Sequence, residues 1–186
     1  MTITVIFASH RMGGKSEEIK NAMLRYQSDF NFDFIHLAKE KVEGCIDCRF
    51  CAQKGYCVLT PSDSDCFQTI FEKMQKADAI FIISPVYAGI PSRLTALFER
   101  LISVLLYTGK INTNNNPLLN KKAAIFSYCS AGVCDEAPIK LICDKFFMKD
   151  YCFDRTTYTY LNSLTDPRAR YDNITNYVTD TLEFLK

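Results

Sequence analysis

Short apolar runs alternate with amphipathic segments along the chain. The apolar runs predict five β-strands, at residues 2–8, 32–37, 79–84, 123–128 and 156–161. The amphipathic segments predict helices at residues 16–27, 63–77, 92–107, 135–148 and 170–185. Strands that alternate with helices indicate a parallel sheet covered on both faces and joined by right-handed crossovers. We therefore expect residues 1–186 to form a single α/β domain.

The order of strands in such a sheet indicates where a ligand binds. Five parallel strands fit the order 2-1-3-4-5 of a flavodoxin-like three-layer sandwich, in which ligands bind at the carboxyl ends of the strands, beside strands 1 and 3. Polar or glycine-containing loops follow three strands at that edge: SHRMGGKS at 9–16, PVYAG at 85–89 and CSAG at 129–132. Their convergence predicts a binding site at this edge.

The loop after the first strand has features suited to a phosphate group. It leads into a helix, whose N-terminal amides attract anions, and Ser9, Arg11 and Ser16 add hydrogen-bond donors. Ser16 is also placed to cap that helix. Gly14-Lys15-Ser16 matches the end of the nucleotide-binding motif G-x-x-x-x-G-K-[ST], but Ser9 replaces the first glycine and the third strand lacks a terminal acidic residue for magnesium. A P-loop nucleotide-binding protein and a plain polar turn are therefore alternatives.

The composition limits the classes of partner. The net charge is +1, so we expect no surface for nucleic acid or for an anionic membrane. No apolar run reaches transmembrane length, and MTITVIFASH lacks the pattern of a signal peptide. We therefore expect a cytoplasmic protein with reduced thiols, in which a cysteine cluster indicates metal binding or catalysis before it indicates disulfides.

Four of the nine cysteines lie close together in a long connection after the second strand, at about residues 39–61. They are Cys45, Cys48, Cys51 and Cys57. The spacing C-x2-C-x2-C-x5-C lets three thiols approach one metal centre, and Gly55 permits the chain to return with the fourth. A [4Fe-4S] cluster, structural zinc and disulfides are the competing interpretations. A redox-labile thiol loop and a vestigial site are further alternatives.

The loops after the first and third strands together resemble those of NAD(P)H-dependent FMN reductases. The matching motifs are S-x-R-x-x-G-x-[ST] at residues 9–16 and S-P-V-Y-x-G at residues 84–89, and the resemblance covers about residues 1–135. It implies that the first loop binds the FMN phosphate. The residues concerned are Ser9, Arg11 and Ser16, in a loop that also supplies Gly14 and Lys15.

The same resemblance assigns the second loop to the isoalloxazine ring and the third loop to the edge of the flavin site. The ring is bordered by Pro85, Val86, Tyr87, Ala88 and Gly89, and the third loop contributes Ser130 and Gly132. No side chain need act as a general acid or base. Tyr87 is the side chain beside the ring that we expect to contribute to catalysis.

The cysteine spacing resembles the compact motif of iron–sulfur flavoproteins, which carry it just after the second strand of the same fold. This resemblance implies one [4Fe-4S] cluster on the four cysteines of the segment. It also implies an FMN-dependent oxidoreductase that passes electrons from NAD(P)H or reduced ferredoxin to a small-molecule or protein acceptor. A cluster-free NAD(P)H:FMN or quinone reductase is the first alternative. A flavodoxin-like carrier is the second, and the balanced charge counts against it because flavodoxins are typically acidic.

The predicted helix at 92–107 is apolar on more than one face. Val104, Leu106 and Tyr107 lie beyond its main apolar stripe, and a helix with such a surplus is usually buried on more than one side. Burial against a second copy predicts at least a homodimer, and the resemblance implies a homodimer or homotetramer. The alternative is that the downstream loop at 112–120 folds back and covers the surplus.

Overall fold

The computed structural model describes residues 1–59, 65–86, 89–111, 113–129, 149–150, 157–159 and 174–185. The strands are β1 (Thr2–Phe7), β2 (Asn31–His36), β3 (Ala79–Pro85), β4 (Lys122–Cys129), β5 (Lys149–Asp150) and β6 (Thr157–Thr159). The helices are α1 (Lys15–Leu24), α2 (Phe50–Lys54), α3 (Phe67–Lys76), α4 (Ser92–Tyr107) and α5 (Ile174–Leu185).

The sheet has the parallel order predicted for its first four strands. β1 lies between β2 and β3, and β4 pairs with the other side of β3. The fifth strand predicted at 156–161 is described only at residues 157–159, which form β6 and pair in parallel with the carboxyl end of β4. A further short segment, β5, which the sequence did not predict, pairs in parallel with the start of β4. Five full-length strands are therefore not observed among the described residues.

Burial on both faces explains the composition of the central strands. All seven residues of β3 are buried, as expected for a parallel strand with helices on each side. Along β1, Ile6 contributes to a core cluster with α3 and α4, whereas Val5 and Phe7 contribute to the opposite cluster with α1 and α5. The three layers predicted from the sequence are therefore observed.

Helices α1, α3, α4 and α5 lie where helices were predicted, whereas α2 falls in the connection predicted at about residues 39–61. α3 begins at Phe67, because the Asp65 carboxylate accepts the Phe67 amide at 3.0 Å. The helix predicted at 135–148 lies outside the described residues. No helix in the described part of the chain is long and apolar enough to span a membrane.

Helix α4 buries more of its surface within the chain than the sequence indicates. Val104 is buried, and Leu118 of the following loop belongs to the same core cluster. Leu106 remains 52% exposed. The surplus apolar surface is therefore smaller than predicted, because part of it is covered by the chain itself.

Candidate functional site

The loop after β1 turns sharply before α1. Gly13 and Gly14 have φ angles of +83° and +65°, a region that glycine enters at little cost. The Gly14 carbonyl then accepts the amides of Glu17 and Glu18 at 3.1 and 3.2 Å, which starts the helix. Ser9, at the beginning of the loop, is buried. The glycine pair thus brings the N-terminus of α1 to the carboxyl edge of the sheet.

The Arg11 side chain folds back over this turn. A guanidinium nitrogen of Arg11 lies 3.5 Å from the position that a Cβ on Gly14 would occupy, and the Arg11 amide donates to Ser9 Oγ at 3.3 Å. Lys15, the other predicted cation of the loop, pairs with Glu18 at 2.6 Å. A positive charge and the helix N-terminus therefore lie together, which is an arrangement suited to a phosphate.

Ser16 does not cap α1, so that part of the prediction is wrong. The helix begins one residue earlier than expected, and its N-cap is Gly14, with no side-chain cap. Ser16 instead lies within the first turn, buried, and its Oγ is 2.8 Å from the Tyr128 hydroxyl. Tyr128 was missed by the sequence analysis. Its signal was its place at the end of the fourth strand, immediately before the CSAG loop.

Three contacts bring the strand ends together at this edge. The Val86 amide donates to the Tyr128 carbonyl at 2.9 Å, which joins the ends of β3 and β4. The bond between Ser16 and Tyr128 joins the first loop to β4. His10 Nε2 lies 3.3 Å from Ser92 Oγ, which joins that loop to the start of α4. The starting points of the three predicted loops, at the ends of β1, β3 and β4, therefore lie close together at the carboxyl edge of the sheet.

The remaining predicted flavin residues divide into two groups. Pro85 is buried at the end of β3, and Gly89 is exposed. Tyr87, Ala88, Ser130 and Gly132 lie outside the described residues. Their roles beside the flavin, including the catalytic role of Tyr87, stay predictions.

The cysteine segment is shaped by left-handed residues. Asp47 and Arg49, on either side of Cys48, have φ angles of +48° and +57°. For residues other than glycine this conformation costs on the order of 1–3 kcal/mol each, and it is concentrated at functional sites. Gly55, at φ +80°, ends α2 and donates its amide to the Cys51 carbonyl at 2.9 Å. The return predicted at Gly55 is therefore observed.

The four thiols of this segment line one pocket against α4. The walls include Cys45, Cys48, Cys51 and Cys57, together with Arg100 and Ser103 of the helix. The Cys45 thiol lies 3.3 Å from Ser103 Oγ, and the Cys51 thiol donates to the Ser103 carbonyl at 3.8 Å. Arg100 donates to Cys57 Sγ at 3.2 Å. The helix therefore contacts three of the four sulfurs.

The cysteine pocket suits a metal centre in its donor set. Among the described residues, no three His, Cys, Asp or Glu side chains are already arranged as a metal site. The four thiols nevertheless line the same pocket, and four cysteine thiolates are the ligands that a [4Fe-4S] cluster uses. The residues therefore fit the cluster in kind, and they line one pocket without being gathered into a formed metal site.

A buried ion pair lies beside the pocket and joins three parts of the chain. Arg100 Nη1 lies 2.7 and 2.6 Å from the two Asp65 oxygens, and both side chains are almost fully buried. The Asp65 carboxylate also accepts the amides of Glu43 and Phe67 at 2.9 and 3.0 Å. The pair thus ties the beginning of the cysteine segment to α3 and α4. Neither residue was singled out from the sequence, although a charged residue in the apolar stripe of α4 was the available signal.

Burial and neighbouring groups change the pKa values of Asp65 and Cys51. Burial by itself would raise the pKa of Asp65, but hydrogen bonds from Arg100 and from the two amides outweigh it and lower that pKa. Burial raises the pKa of the Cys51 thiol, and the neighbouring Cys57 and Cys45 raise it further. The Asp65 carboxylate is therefore ionised at neutral pH, whereas Cys51 favours its protonated form.

Comparison with known proteins identifies the family of this chain, and the matched region includes the loops at the carboxyl ends of β1, β3 and β4. The sequence profile of NADPH-dependent FMN reductases matches residues 1–141. The chain belongs to this family. The iron-sulfur flavoprotein of Methanosarcina thermophila is 37% identical over 130 residues, which span 68% of this chain and 62% of that protein. The chain therefore matches less than two thirds of the length of that relative.

Solved structures show the fold of this FMN reductase family member. RosB with bound 8-demethyl-8-formylriboflavin-5'-phosphate superimposes with a TM-score of 0.70 at 12% identity, covering 98% of this chain and 76% of RosB. General stress protein 14 of Treponema denticola, in complex with FMN, gives a TM-score of 0.59 at 13% identity. That match covers 99% of this chain and 97% of the other. At these identities the likeness shows the flavodoxin-like fold.

Proposed function

We propose that this chain is an FMN-dependent oxidoreductase that takes electrons from NAD(P)H or reduced ferredoxin. The acceptor is a small molecule or a redox protein, and a [4Fe-4S] cluster on the four cysteines takes part in the transfer. The observation that carries the proposal is that the ends of β1, β3 and β4 lie together beside the N-terminus of α1, with Arg11 over the turn that begins this helix. Family membership supports the choice of FMN over the nucleotide of a P-loop protein.

The first loop would hold the phosphate of FMN. Arg11 supplies a guanidinium, Ser9 and Ser16 supply hydroxyl groups, and the α1 N-terminus supplies amides. Tyr128 fixes the rotamer of Ser16 through their hydrogen bond. When bound, FMN supplies hydride and single-electron chemistry that no side chain of the protein can supply. Tyr87 remains our proposed contributor beside the ring.

The cysteine pocket would hold the second redox group. Its four thiols provide ligands for a cluster that transfers one electron at a time. Support comes from the shared pocket, from the strained residues around Cys48, and from the iron-sulfur flavoprotein among the relatives. We propose a cytoplasmic protein that forms a homodimer or homotetramer through the region of α4, where Leu106 is half exposed.

Purification without oxygen tests both cofactors together. We expect one FMN per chain, and iron and acid-labile sulfide each near about four per chain. Cys57→Ser should lower the iron content, whereas Cys66→Ser serves as a matched control because Cys66 lies outside the pocket lining. Zinc in place of iron, or no metal under these conditions, would reject the cluster and leave the flavin site standing.

A cluster-free NAD(P)H:FMN or quinone reductase is the second candidate. The observation that favours it is the lack, among the described residues, of a preformed group of three metal-binding side chains. Iron analysis separates the two candidates. A protein that binds FMN but fails to oxidise NAD(P)H with every small-molecule acceptor tested would instead indicate a flavodoxin-like carrier.

A further inference from the structure

Arg100 is the largest fully buried side chain among the described residues, and it lies on a helix that is otherwise apolar on its buried face. Burial of a guanidinium is costly unless its charge and its donors are satisfied. The charge is matched by Asp65, and the Phe67 ring lies 4.2 Å from the guanidinium carbon. The Nε atom, however, is buried with no hydrogen-bond partner in the described residues. Because burial of the Arg100 guanidinium costs free energy, we expect this side chain to have a role besides packing.

The geometry of the ion pair differs from the usual arginine fork. Arginine and a carboxylate commonly form two parallel bonds, one from each of two nitrogens. Here Nη1 alone contacts both Asp65 oxygens, at 2.7 and 2.6 Å. Nη2 is thereby left to donate to Cys57 Sγ at 3.2 Å. Asp65 therefore fixes the guanidinium in an orientation that directs one N–H group at a sulfur.

The other contacts of the pair make this orientation rigid. Asp65 is held by the amides of Glu43 and Phe67, so its carboxylate cannot rotate without loss of hydrogen bonds. Arg100 Nη1 also lies 3.5 Å from the Glu43 carbonyl. The side chain that donates to Cys57 therefore lies on α4, and the carboxylate that holds it is Asp65, two residues before the start of α3. Cys57 is the thiol separated from the others by the longest gap, and therefore the one that most needs an external support.

We propose that Arg100, held by Asp65, is a positioning residue for Cys57 that also stabilises negative charge on the four-cysteine site. This inference rests on the proposed function of the cysteine pocket. Its N–H group fixes the sulfur of the last ligand, and the hydrogen bond that it donates to this sulfur favours the state with one more electron. Hydrogen bonds to the sulfurs are among the factors that set the reduction potential of such sites. Removal of Arg100 therefore lowers the potential, and addition of that electron forms and breaks no bond to the protein.

The test compares two double variants with the wild-type protein. Asp65→Asn with Arg100→Gln removes the buried pair, so that no charge is left unpaired, and the introduced carboxamide keeps an oxygen that can accept a backbone amide. Lys41→Gln with Glu43→Gln is the control, because it removes an exposed pair of the same charges from the same segment. Each protein is purified without oxygen and reconstituted with iron and sulfide. Iron content is measured first, followed by a dithionite titration with redox dyes that is monitored by EPR.

We expect the buried-pair variant to hold less iron than the control, and its remaining cluster to be harder to reduce. The ratio of reduced to oxidised centre at a fixed potential should fall at least about tenfold, equivalent to about 59 mV for a one-electron couple. The surface-pair control should keep the wild-type values. A buried-pair variant with unchanged iron content and potential would overturn the inference.

Two further results keep the outcome decisive. Should the double variant fail to fold, Arg100→Lys keeps the charge but has a single terminal nitrogen in place of the two with which Arg100 contacts Asp65 and Cys57 separately. Wild-type iron content and potential in that variant would also overturn the inference. A wild-type protein that binds FMN but no iron after reconstitution would instead reject the proposed cluster. The failure of the proposed function and the failure of the role of Arg100 are thus distinguishable.

Discussion

The two candidate cofactor regions of the molecule are built in different ways. At the flavin edge, backbone topology places the parts: parallel strands end together, and Gly13 and Gly14 start α1 beside them. At the cysteine pocket, side chains place the parts: Arg100 and Asp65 join segments that are 35 residues apart in sequence. The position of a site formed by strand ends follows from the order of the strands in the sheet. A site made by tertiary side-chain contacts depends on a few residues, so single substitutions should damage it more.

The largest effect is expected at the buried ion pair. Arg100→Gln leaves the Asp65 carboxylate buried without its partner, which should lower the free energy of unfolding by about 3–5 kcal/mol. Urea denaturation followed by circular dichroism measures the loss. Lys73→Gln is the matched control, because its pair with Asp33 is about a third exposed and such pairs contribute about 0–1 kcal/mol. Equal losses in the two variants would contradict the assigned importance of burial.

The same comparison explains what the sequence could predict. Hydrophobic runs such as AIFIIS predict strands, and the strand order then places three loops at one edge, because that step uses only backbone topology. The β-forming residues of TTYTYL predict a strand, and the three of them that the structure describes, at 157–159, pair with β4. Contacts between side chains distant in sequence carry no periodic signal. The sequence therefore indicates only that Arg100 lies on a helix and Tyr128 at the end of a strand.

At the flavin edge, the largest effect should come from Arg11. Arg11→Ala removes the guanidinium that lies over Gly14, and we expect FMN binding to weaken by about 1.5–3 kcal/mol. Quenching of FMN fluorescence on titration with apoprotein measures the affinity. Arg25→Ala serves as the control, because Arg25 is an exposed arginine just beyond the other end of α1. Wild-type affinity in the Arg11 variant would contradict the placement of the phosphate.

A smaller effect is expected from Tyr128. Tyr128→Phe removes the hydroxyl that holds Ser16 Oγ at 2.8 Å, so FMN affinity should fall by about 0.5–1.5 kcal/mol. Tyr26→Phe is a close control, since its hydroxyl bonds to Thr179 Oγ1 at 2.6 Å on the side of α1 that faces α5. Both variants should lose similar stability, but only the Tyr128 variant should lose affinity. Loss of affinity in both would mean that general loosening of α1, and not Ser16, weakens FMN binding.

The smallest expected effect is a change of stability with pH, which should depend on His36 and not on the buried ion pair beside the cysteine pocket. His36, at the end of β2, stacks on Phe7 with ring centroids 4.4 Å apart. Its burial, followed by the nearby charge of Lys20, lowers its pKa from the ordinary value near about 6.5. The unfolded chain therefore binds a proton more readily than the folded chain. Stability contributed by neutral His36 is present above about pH 6.5 and is lost as pH falls through the lowered folded value.

The carboxylate of Asp65 behaves differently over the same range. Its lowered pKa means that its stabilisation is present above the unfolded value near about 3.9 and is lost only as pH falls further. Between pH values of about 7.5 and 5.5, the urea midpoint of the wild-type protein should fall slightly because of His36. His36→Phe keeps a ring on Phe7 but cannot be protonated, so its midpoint should fall less. The Asp65→Asn, Arg100→Gln double variant should show the same change of urea midpoint with pH as the wild-type protein. If this variant loses that change, the pH dependence comes from the buried ion pair beside the cysteine pocket and not from His36.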